Sequence, residues 1–401
     1  MSTYGLEGVL AWSQAMHVAM TAGRALPVVT ARLDEAGGNI LGRDLTLLFD
    51  DPPADSAQFD GYAICGEGPW LAVDEDRLRP GECQIVRRGQ SIALHTDAVL
   101  RSASADVRRA ADGTLVVIAL DELTGVVDEQ ARPALGLGII RQAARAKVGA
   151  SLVPAGRVVN SPVLALAAAA GHDNLDIIRP PVVGTLVLGR SLLSHGLPRD
   201  GRIRDALGDA VADFAGRQGA RAHPPVRAPD TAALLREHIA DADVDVLITT
   251  GSTAPGPDNH VREVMRDLGA RWLVDGVAVW PGAQMLLARL PDGRLLVGLP
   301  GDPAAALAGL VTIVRPLLRA LRGAEQESLL QAVMIDDVEP GDFADDTHLV
   351  PVLVDRSGPH SVARALPGGF GGLEHWANAD GVAVIAPHQA VRGQAVQILP
   401  L

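Results

Sequence analysis

Three stretches of the chain place small or polar residues where an apolar run begins or ends. The first is PPADSAQFDGYAI, Pro52–Ile64, in which Asp60 and a glycine precede a short apolar run. The second is VDVLITTGSTAPGPDNHVREVM and the third is LLVGLPGDPAAALAGL, and in both a strand pattern leads through glycines into a helix pattern. Open α/β sheets bind ligands where their strands turn into helices. The second and third stretches are therefore candidate ligand sites.

The second stretch has the composition of a phosphate-binding loop. A buried strand is predicted to end at Thr249–Thr250, and a helix is predicted to begin near Asp258. Small residues let backbone N–H groups approach a ligand, and a helix N-terminus favours negative charge. Ser252, Thr253 and the N–H groups of 251–256 are the candidate ligands of a phosphate. The alternative is a tight strand-to-helix turn in which Asp258 is only an N-cap.

The third stretch has the signals of a capped helix. Gly298, Pro300 and Gly301 turn the chain, Asp302 is placed to cap, and Pro303 fits the first helical position. Helix capping explains most of this pattern. A carboxylate at that helix start would repel a bound phosphate unless a cation lay between the two.

Asp245 is an acid beside a run that is predicted to be buried. Buried acids are rare without a partner, so Asp245 is a candidate for metal or hydroxyl binding. The alternative is a partly exposed strand end. The sequence contains no HExxH pattern, no GxSxG elbow, no Walker A motif and no GxGxxG that opens a helix.

Composition sets limits on the function. A chain of 401 residues predicts two to four domains, and a net charge of −13 argues against a nucleic-acid-binding face. Of the 35 basic residues only Lys147 is a lysine. We find no signal peptide and no apolar run of the roughly 20 residues that a membrane span needs. The sequence therefore predicts a cytoplasmic protein without nucleic-acid or membrane partners.

The order of elements predicts a multidomain α/β protein. Residues 5–22 have helical spacing, and a helix-like stretch follows at 32–45. Short β-type runs between about 60 and 130 predict an all-β insert. The block 180–322 alternates strands with helices, including one predicted over 200–219, which indicates a mostly parallel sheet covered on both faces. Short strands return after 331 and predict a small β domain.

Taken together, the three stretches resemble one family. Pro52–Ile64 resembles the PPFDNSAMDGYAV segment of the molybdopterin molybdenumtransferases, the MoeA and gephyrin E-domain group. Residues 245–264 resemble that family's DxxITSGGVSxGxxDxV loop, and Gly276–Leu307 resembles GVAMKPGKP…GLPGNPVSAL. The matching residues are Asp60, Gly61, Tyr62, Asp245, Gly251, Gly256, Pro281, Gly282, Pro300, Gly301 and Pro303.

The resemblance implies a domain layout. It comprises an elongated N-terminal domain with a β insert, a central molybdopterin-binding α/β domain with a mostly parallel sheet, and a C-terminal β barrel. The expected bounds are 1–48 with 131–178 for the N-terminal domain, 49–130 for the insert, 179–325 for the central domain and 326–401 for the barrel.

The resemblance also implies an activity. The expected reaction is insertion of molybdate into adenylylated molybdopterin with release of AMP, assisted by Mg²⁺, in a homodimer. Asp60 and Asp245 are the expected catalytic residues, with Asp60 reaching the partner subunit's site, and Asp245 and Asp302 are the expected metal ligands. The expected substrate-binding residues are Gly251, Ser252, Thr253, Gly256, Asp258, Asn259, Pro281, Gly282, Pro300, Gly301 and Asp302.

The chain departs from the family pattern at charged positions. The two lysines of KPGKP are Trp280 and Ala283 here, and the acids of the family's TGDEL fall on Arg190 and Ser191. One hypothesis is a divergent enzyme in which arginines bind the anion instead. The arginines considered are Arg88, Arg145, Arg190 and Arg289. The alternative hypothesis is a catalytically impaired paralogue that binds a pterin or acts as a scaffold.

Overall fold

The computed structural model describes residues 8–121, 123–256, 259–325, 328–338, 344–366, 372–389 and 391–401. The helices are α1 (Trp12–Ala22), α2 (Ser161–Ala169), α3 (Gly208–Arg217), α4 (Ala232–Asp241), α5 (Val261–Asp267), α6 (Pro303–Gly309), α7 (Arg315–Leu321) and α8 (Leu373–Asn378). A 3₁₀ turn spans Ser102–Ser104, and a π-helical segment at Leu310–Val314 joins α6 to α7.

The strands before residue 180 are β1 (Leu10–Ala11), β2 (Val28–Arg32), β3 (Leu45–Thr46), β4 (Ser56–Ala57), β5 (Gly61–Cys65), β6 (Trp70–Ala72), β7 (Glu82–Val86), β8 (Ala98–Arg101), β9 (Ala105–Arg109), β10 (Leu115–Ala119), β11 (Ile139–Ile140), β12 (Ser151–Val153) and β13 (Asn174–Ile178). The later strands are β14 (Val182–Leu188), β15 (Leu192–Leu193), β16 (Ile203–Arg204), β17 (Arg221–Ala222), β18 (Val226–Ala228), β19 (Val246–Thr250), β20 (Arg271–Asp275), β21 (Val277–Trp280), β22 (Leu286–Arg289), β23 (Leu295–Leu299), β24 (Leu330–Met334), β25 (Thr347–Asp355), β26 (Val362–Ala365), β27 (Gly381–Ile385) and β28 (Ala395–Leu399).

The N-terminal region is a set of short two-stranded ribbons around α2. β2 pairs antiparallel with β13 and β3 pairs antiparallel with β12. The helix-like stretch predicted at 32–45 is wrong, because Arg32 ends β2 and the chain then turns. Leu41 is buried there against Leu175 and Ile177, so packing across the ribbons outweighs the local helical pattern.

The insert is an all-β sheet, as predicted. Its strand order is β8-β5-β7-β6-β10-β9, so β5 lies between two neighbours directly after Asp60. A Cβ atom on Gly61 would lie 1.9 Å from the carbonyl oxygen of Leu100 on β8. Glycine is therefore required where β5 enters the sheet.

The central sheet has the order β17-β14-β19-β23-β22-β20, with β18 also paired to β14. β14, β19 and β23 run parallel, and β22 pairs antiparallel with both β23 and β20. The apolar residues of α1, α3 and the 303–321 helix share one core cluster, and those of α4 and α5 form a second cluster on the other face. The prediction of a mostly parallel sheet covered on both faces is confirmed.

The predicted helix over 200–219 begins only at Gly208. The preceding residues form β16, which pairs with β15. Asp205 accepts hydrogen bonds from the backbone N–H groups of Leu207 (2.9 Å) and Gly208 (3.1 Å), and this contact fixes where the helix begins. Strand pairing has overridden helix propensity over the first residues of the stretch.

The continuous helix Pro303–Leu321 is long and apolar enough to cross a membrane by length and composition alone. However, 83% of its most apolar window is buried inside the protein. A core helix passes the same test, so this helix is only weak evidence for a membrane span. Its packing against the central sheet accounts for its composition.

The C-terminal region is a closed barrel. Strands β25, β26, β24, β28 and β27 pair in that order, and β27 pairs back to β25. β21 of the central region also pairs with β25, and β1 pairs with β21. The barrel is thus joined to the central region by backbone hydrogen bonds, while the exact domain boundaries stay predictions.

We expect Gly61→Ala to lower the free energy of unfolding by about 2–3 kcal/mol, because the added Cβ would overlap the Leu100 carbonyl oxygen. Gly216→Ala is the matched control. This position lies in α3 and has no atom within 4 Å of its Cβ site, so it should gain about 0.5–1 kcal/mol. Chemical denaturation measures both. Equal stability of the two variants would contradict the assigned packing.

Candidate functional site

The carboxyl ends of three parallel strands meet at Gly251. The backbone N–H of Gly251, at the end of β19, donates a 2.9 Å hydrogen bond to the carbonyl oxygen of Leu299 on β23. Gly251 has φ +84°, and a Cβ there would lie 2.9 Å from the carbonyl oxygen of Leu188 on β14. Any larger residue would separate these strand ends.

A pocket of about 260 Å³ opens over this junction. We call it the strand-edge pocket, and it is lined by 188–192, 203–207, 250–251, Gly301 and Pro303. The Cβ site of Gly301 lies 3.5 Å from the Cα atom of Gly251, so backbone from two loops forms its floor. Bare backbone of this kind lets a ligand approach N–H groups closely.

The loop after β19 is held by its own side chains. Ser252, a non-glycine residue with φ +61°, donates from Oγ to Asp230 (3.1 Å) and accepts from the backbone N–H of His260 (2.7 Å). Thr253 is 2% exposed. The hydroxyl of Ser252 therefore shapes the loop, and its predicted contact with a ligand stays a prediction.

The helix after this loop begins later than predicted. α5 starts at Val261, and the backbone N–H of Asn259 donates to the carbonyl oxygen of Gly256 (3.3 Å). Asp258, predicted as a cap and as a substrate-binding residue, lies outside the described residues. Because α5 has only seven residues, we do not assign an anion site to its N-terminus.

A second pocket, of about 430 Å³, lies next to the first. We call it the turn pocket, because the turn Trp280–Gln284 forms one wall and 300–305 the other. Gly282 has φ +110°, and a Cβ there would lie 2.9 Å from the carbonyl oxygen of Ala305. Gly301 lines both pockets, so the two are adjacent.

The predicted binding residues of the second and third stretches therefore come together in part. The two pockets are lined by Gly251, Pro281, Gly282, Pro300, Gly301 and Asp302. Asp302 is exposed, and its Oδ1 accepts a 2.9 Å hydrogen bond from the backbone N–H of Ala305. The capping role of Asp302 is confirmed, while its roles as substrate and metal ligand stay predictions.

Asp245 lies at the opposite end of β19. Its carboxylate accepts two hydrogen bonds from the guanidinium of Arg179 (2.7 and 2.9 Å) and one from the backbone N–H of Val182 (2.8 Å). The hydrogen bond and charge of Asp245 raise the pKa of Arg179 above its usual value. Six residue steps along β19 place Asp245 about 20 Å from Gly251, so the structure does not bring Asp245 to the pockets.

The two predicted metal ligands do not fit one magnesium ion. Asp245 is already paired with Arg179, and Asp302 lies beyond the other end of the sheet. Within the described part of the chain, no group of three or more His, Cys, Asp or Glu residues is arranged to hold a metal. Mg²⁺ needs a nearly octahedral set of oxygens, so we assign no step to it.

Asp60 lies in the insert and lines neither pocket. It is exposed just before β5, and its Oδ1 accepts a 2.8 Å hydrogen bond from the backbone N–H of Arg88. The neighbouring Phe59 ring is covered by the guanidinium of Arg101 at 3.9 Å. Asp60 is thus held at the surface with one carboxylate oxygen anchored.

One of the four arginines considered for anion binding lies at the pockets. Arg190 lines the strand-edge pocket. Arg145 is paired with Asp51 (3.1 Å), and Arg289 donates to the carbonyl oxygens of Ala22 and Gly293. The sequence analysis missed three arginines near Arg190, namely Arg199, Arg202 and Arg227. The signal was a cluster of arginines directly after a strand end.

Two family models match most of this chain. Residues 10–171 match the MoeA N-terminal region (domains I and II), and residues 184–320 match a probable molybdopterin binding domain. The second match contains the whole strand-edge pocket. The chain belongs to the MoeA family.

Relatives and solved structures agree with the MoeA assignment. The molybdopterin molybdenumtransferase of Staphylococcus aureus (strain Mu50) is 24% identical over 321 residues, covering 78% of this chain and 76% of that protein. The Staphylococcus epidermidis molybdopterin molybdenumtransferase (strain RP62A) is 26% identical over 77% of this chain and 75% of its own. A MoeA structure from Pyrococcus horikoshii aligns with TM-score 0.74 at 22% identity, covering 98% of this chain and 99% of that one, and shows the same fold.

We expect Asp245→Asn to lower the free energy of unfolding by about 2 kcal/mol, because it weakens charge-assisted hydrogen bonds to a half-buried arginine. Asp213→Asn is the control, since its pair with Arg217 is mostly exposed and should contribute less than about 1 kcal/mol. Denaturant titration checks both. An Asp245→Asn variant with unchanged stability but altered Mg²⁺ affinity would instead support the metal role.

Proposed function

We propose that this protein acts in molybdenum cofactor biosynthesis as a molybdopterin molybdenumtransferase. The observation that carries the proposal is the strand-edge pocket, a backbone-floored site inside the region that matches the molybdopterin-binding family model. The curated relatives that carry this name span three quarters of this chain. The proposed site of action is the cytoplasm.

The ligand of the proposed site is adenylylated molybdopterin. The strand-edge pocket suits an anionic ligand of this kind, because Arg190 lines it and its floor is backbone without side chains. Gly301 joins this pocket to the turn pocket. One ligand of nucleotide size can therefore extend across both, with molybdate as the second substrate.

In the proposed reaction, a water oxygen bonds to the phosphorus of the AMP moiety. The bond from that phosphorus to the molybdopterin phosphate oxygen breaks, and AMP leaves. The two dithiolene sulfurs then bond to the molybdenum of molybdate, and one molybdate oxygen leaves as water with the two thiol protons. Positioning and charge stabilisation supply most of the catalysis of phosphoryl transfer. The residues of this chain contribute by holding the phosphates and shielding them from bulk water.

The turn pocket has little charge for a reaction with an oxyanion. Trp280 and Ala283 stand where the family has lysines, and Asp302 is the one acidic residue among the lining residues that the structure describes. Backbone N–H groups, the Gln284 amide and the Trp280 indole are the neutral donor groups among its described lining residues. Binding of molybdate by such neutral donors would be weak until the pterin sulfurs are in place.

A second copy of the chain completes the proposed site. Asp60 is exposed and lies outside the pockets of its own chain. Its backbone anchor to Arg88 holds it in a fixed orientation on a rigid sheet. We therefore propose a homodimer in which the insert of one chain presents Asp60 to the pockets of the other.

The direct test is calorimetric titration with adenylylated molybdopterin, followed by addition of molybdate and measurement of AMP release. We expect AMP release above the rate without protein, and a loss of about 10²–10³-fold in Asp60→Ala. Asp106→Ala, an exposed acid elsewhere in the insert, is the control and should keep full activity. Binding without AMP release in the wild-type protein would contradict the enzyme assignment and indicate a pterin-binding paralogue.

We expect Gly301→Leu to abolish binding of adenylylated molybdopterin, because the new side chain would project between the two pockets. Gly301 is exposed and does not have a positive φ, so the fold should persist. Gly216→Leu, on an exposed helix surface, is the control for a mutation of equal size. Unchanged affinity of Gly301→Leu would show that the ligand binds elsewhere.

A further inference from the structure

An arginine-rich pocket adjoins the strand-edge pocket. It has a volume of about 370 Å³, and we call it the arginine pocket because Arg190, Arg199, Arg202 and Arg227 line it. Its other polar lining groups include Ser194 and His195, which share a 2.9 Å hydrogen bond. None of its lining residues in the described part of the chain is acidic.

Two of these arginines are held in place by the protein. Arg227 donates from Nε to Asp205 (2.8 Å), a side chain that is 2% exposed, and lies 3.5 Å from Asp209. Arg202 donates from Nη2 to the carbonyl oxygen of Leu192 (2.8 Å). One wall of the pocket is therefore a fixed, positively charged surface.

The other two arginines have no protein partner. In the part of the chain that the structure describes, the side chains of Arg190 and Arg199 make no hydrogen bond to an acidic or carbonyl group and no ion pair. Each still lines the pocket beside Arg202 and Arg227. The arginine pocket is thus lined by two guanidinium groups that are bonded to the protein and by two that are not.

Such a cluster is unfavourable unless an anion offsets it. Like charges repel across the few ångströms of a pocket, and this protein has a net charge of −13, so acids for pairing are abundant elsewhere. Guanidinium groups present planar forks that match the oxygens of a phosphate. Pyrophosphate, with several charged oxygens, fits four arginines better than a singly charged anion does.

The arginine pocket shares lining residues with the site already described. Gly189, Arg190 and Leu192 line both it and the strand-edge pocket. A ligand held over Gly251 can therefore place a phosphate among the arginines without leaving the site.

We propose that the arginine pocket binds the pyrophosphate of the ligand held in the strand-edge pocket, and that arginine charge replaces a divalent cation there. This rests on the proposed function for the identity of that ligand. Arg190 occupies a position where the family motif has an acid, and the two carboxylates expected to hold Mg²⁺ lie at opposite ends of the sheet. The anion is thus neutralised directly by the protein.

The test is calorimetric titration of the purified protein with inorganic pyrophosphate, in EDTA and then in Mg²⁺. We expect binding in EDTA that weakens as salt is raised. The double variant Arg190→Gln, Arg199→Gln should lose about a hundredfold in affinity, about tenfold for each charge-assisted contact. The double variant Arg266→Gln, Arg271→Gln removes the same charge from exposed positions away from the pocket and should bind as the wild type does.

Competition with adenylylated molybdopterin identifies the source of the phosphate. We expect the two to exclude each other, and simultaneous binding would overturn the proposal in favour of a separate oxyanion site. Pyrophosphate binding that requires Mg²⁺ would also overturn it. AMP release that the Arg190→Gln, Arg199→Gln variant leaves unchanged would overturn it while the proposed function stands. Metal-free, arginine-dependent binding without AMP release would support it while the proposed function fails.

Discussion

The close approach of three parallel strands at Gly251 is the constraint on which the site depends. The hydrogen bond from Gly251 to Leu299 and the missing side chain facing Leu188 allow β14, β19 and β23 to end at the same level. The strand-edge pocket needs those ends to coincide, because its floor is backbone from two strand-to-helix loops. The helices on the two faces of the sheet hold the strands in register through separate apolar cores.

The sequence predicted the parts of this arrangement that depend on backbone shape. Gly251 and Gly301 were recognised as loop residues and Gly282 was matched to the family pattern, and each has a close backbone neighbour in the fold. Asp302 was recognised as a cap for a local reason, since a carboxylate three residues before an N–H reaches it in one turn. Contacts between residues that are close in sequence can be predicted without knowledge of the tertiary contacts.

The failures concern contacts between distant parts of the chain. Asp245 was predicted as a site residue, but in the structure its carboxylate is hydrogen-bonded to Arg179, 66 residues away. The first part of the helix predicted over 200–219 instead contains β16, which pairs with β15. The arginine pocket was missed because Arg227 reaches it from β18, whereas Arg199 and Arg202 lie in the loop between β15 and β16. Spacing along a chain does not show which side chains a sheet edge brings together.

The most direct test of the account is a crystal structure with adenylylated molybdopterin bound. The account predicts ligand density over Gly251 and Gly301, with the phosphates toward Arg190 and no ordered divalent cation between them. It also predicts that Asp60 of a second chain lies at the open side of the pockets. Ligand density away from this sheet edge, at a concentration that saturates binding in solution, would contradict the central claim.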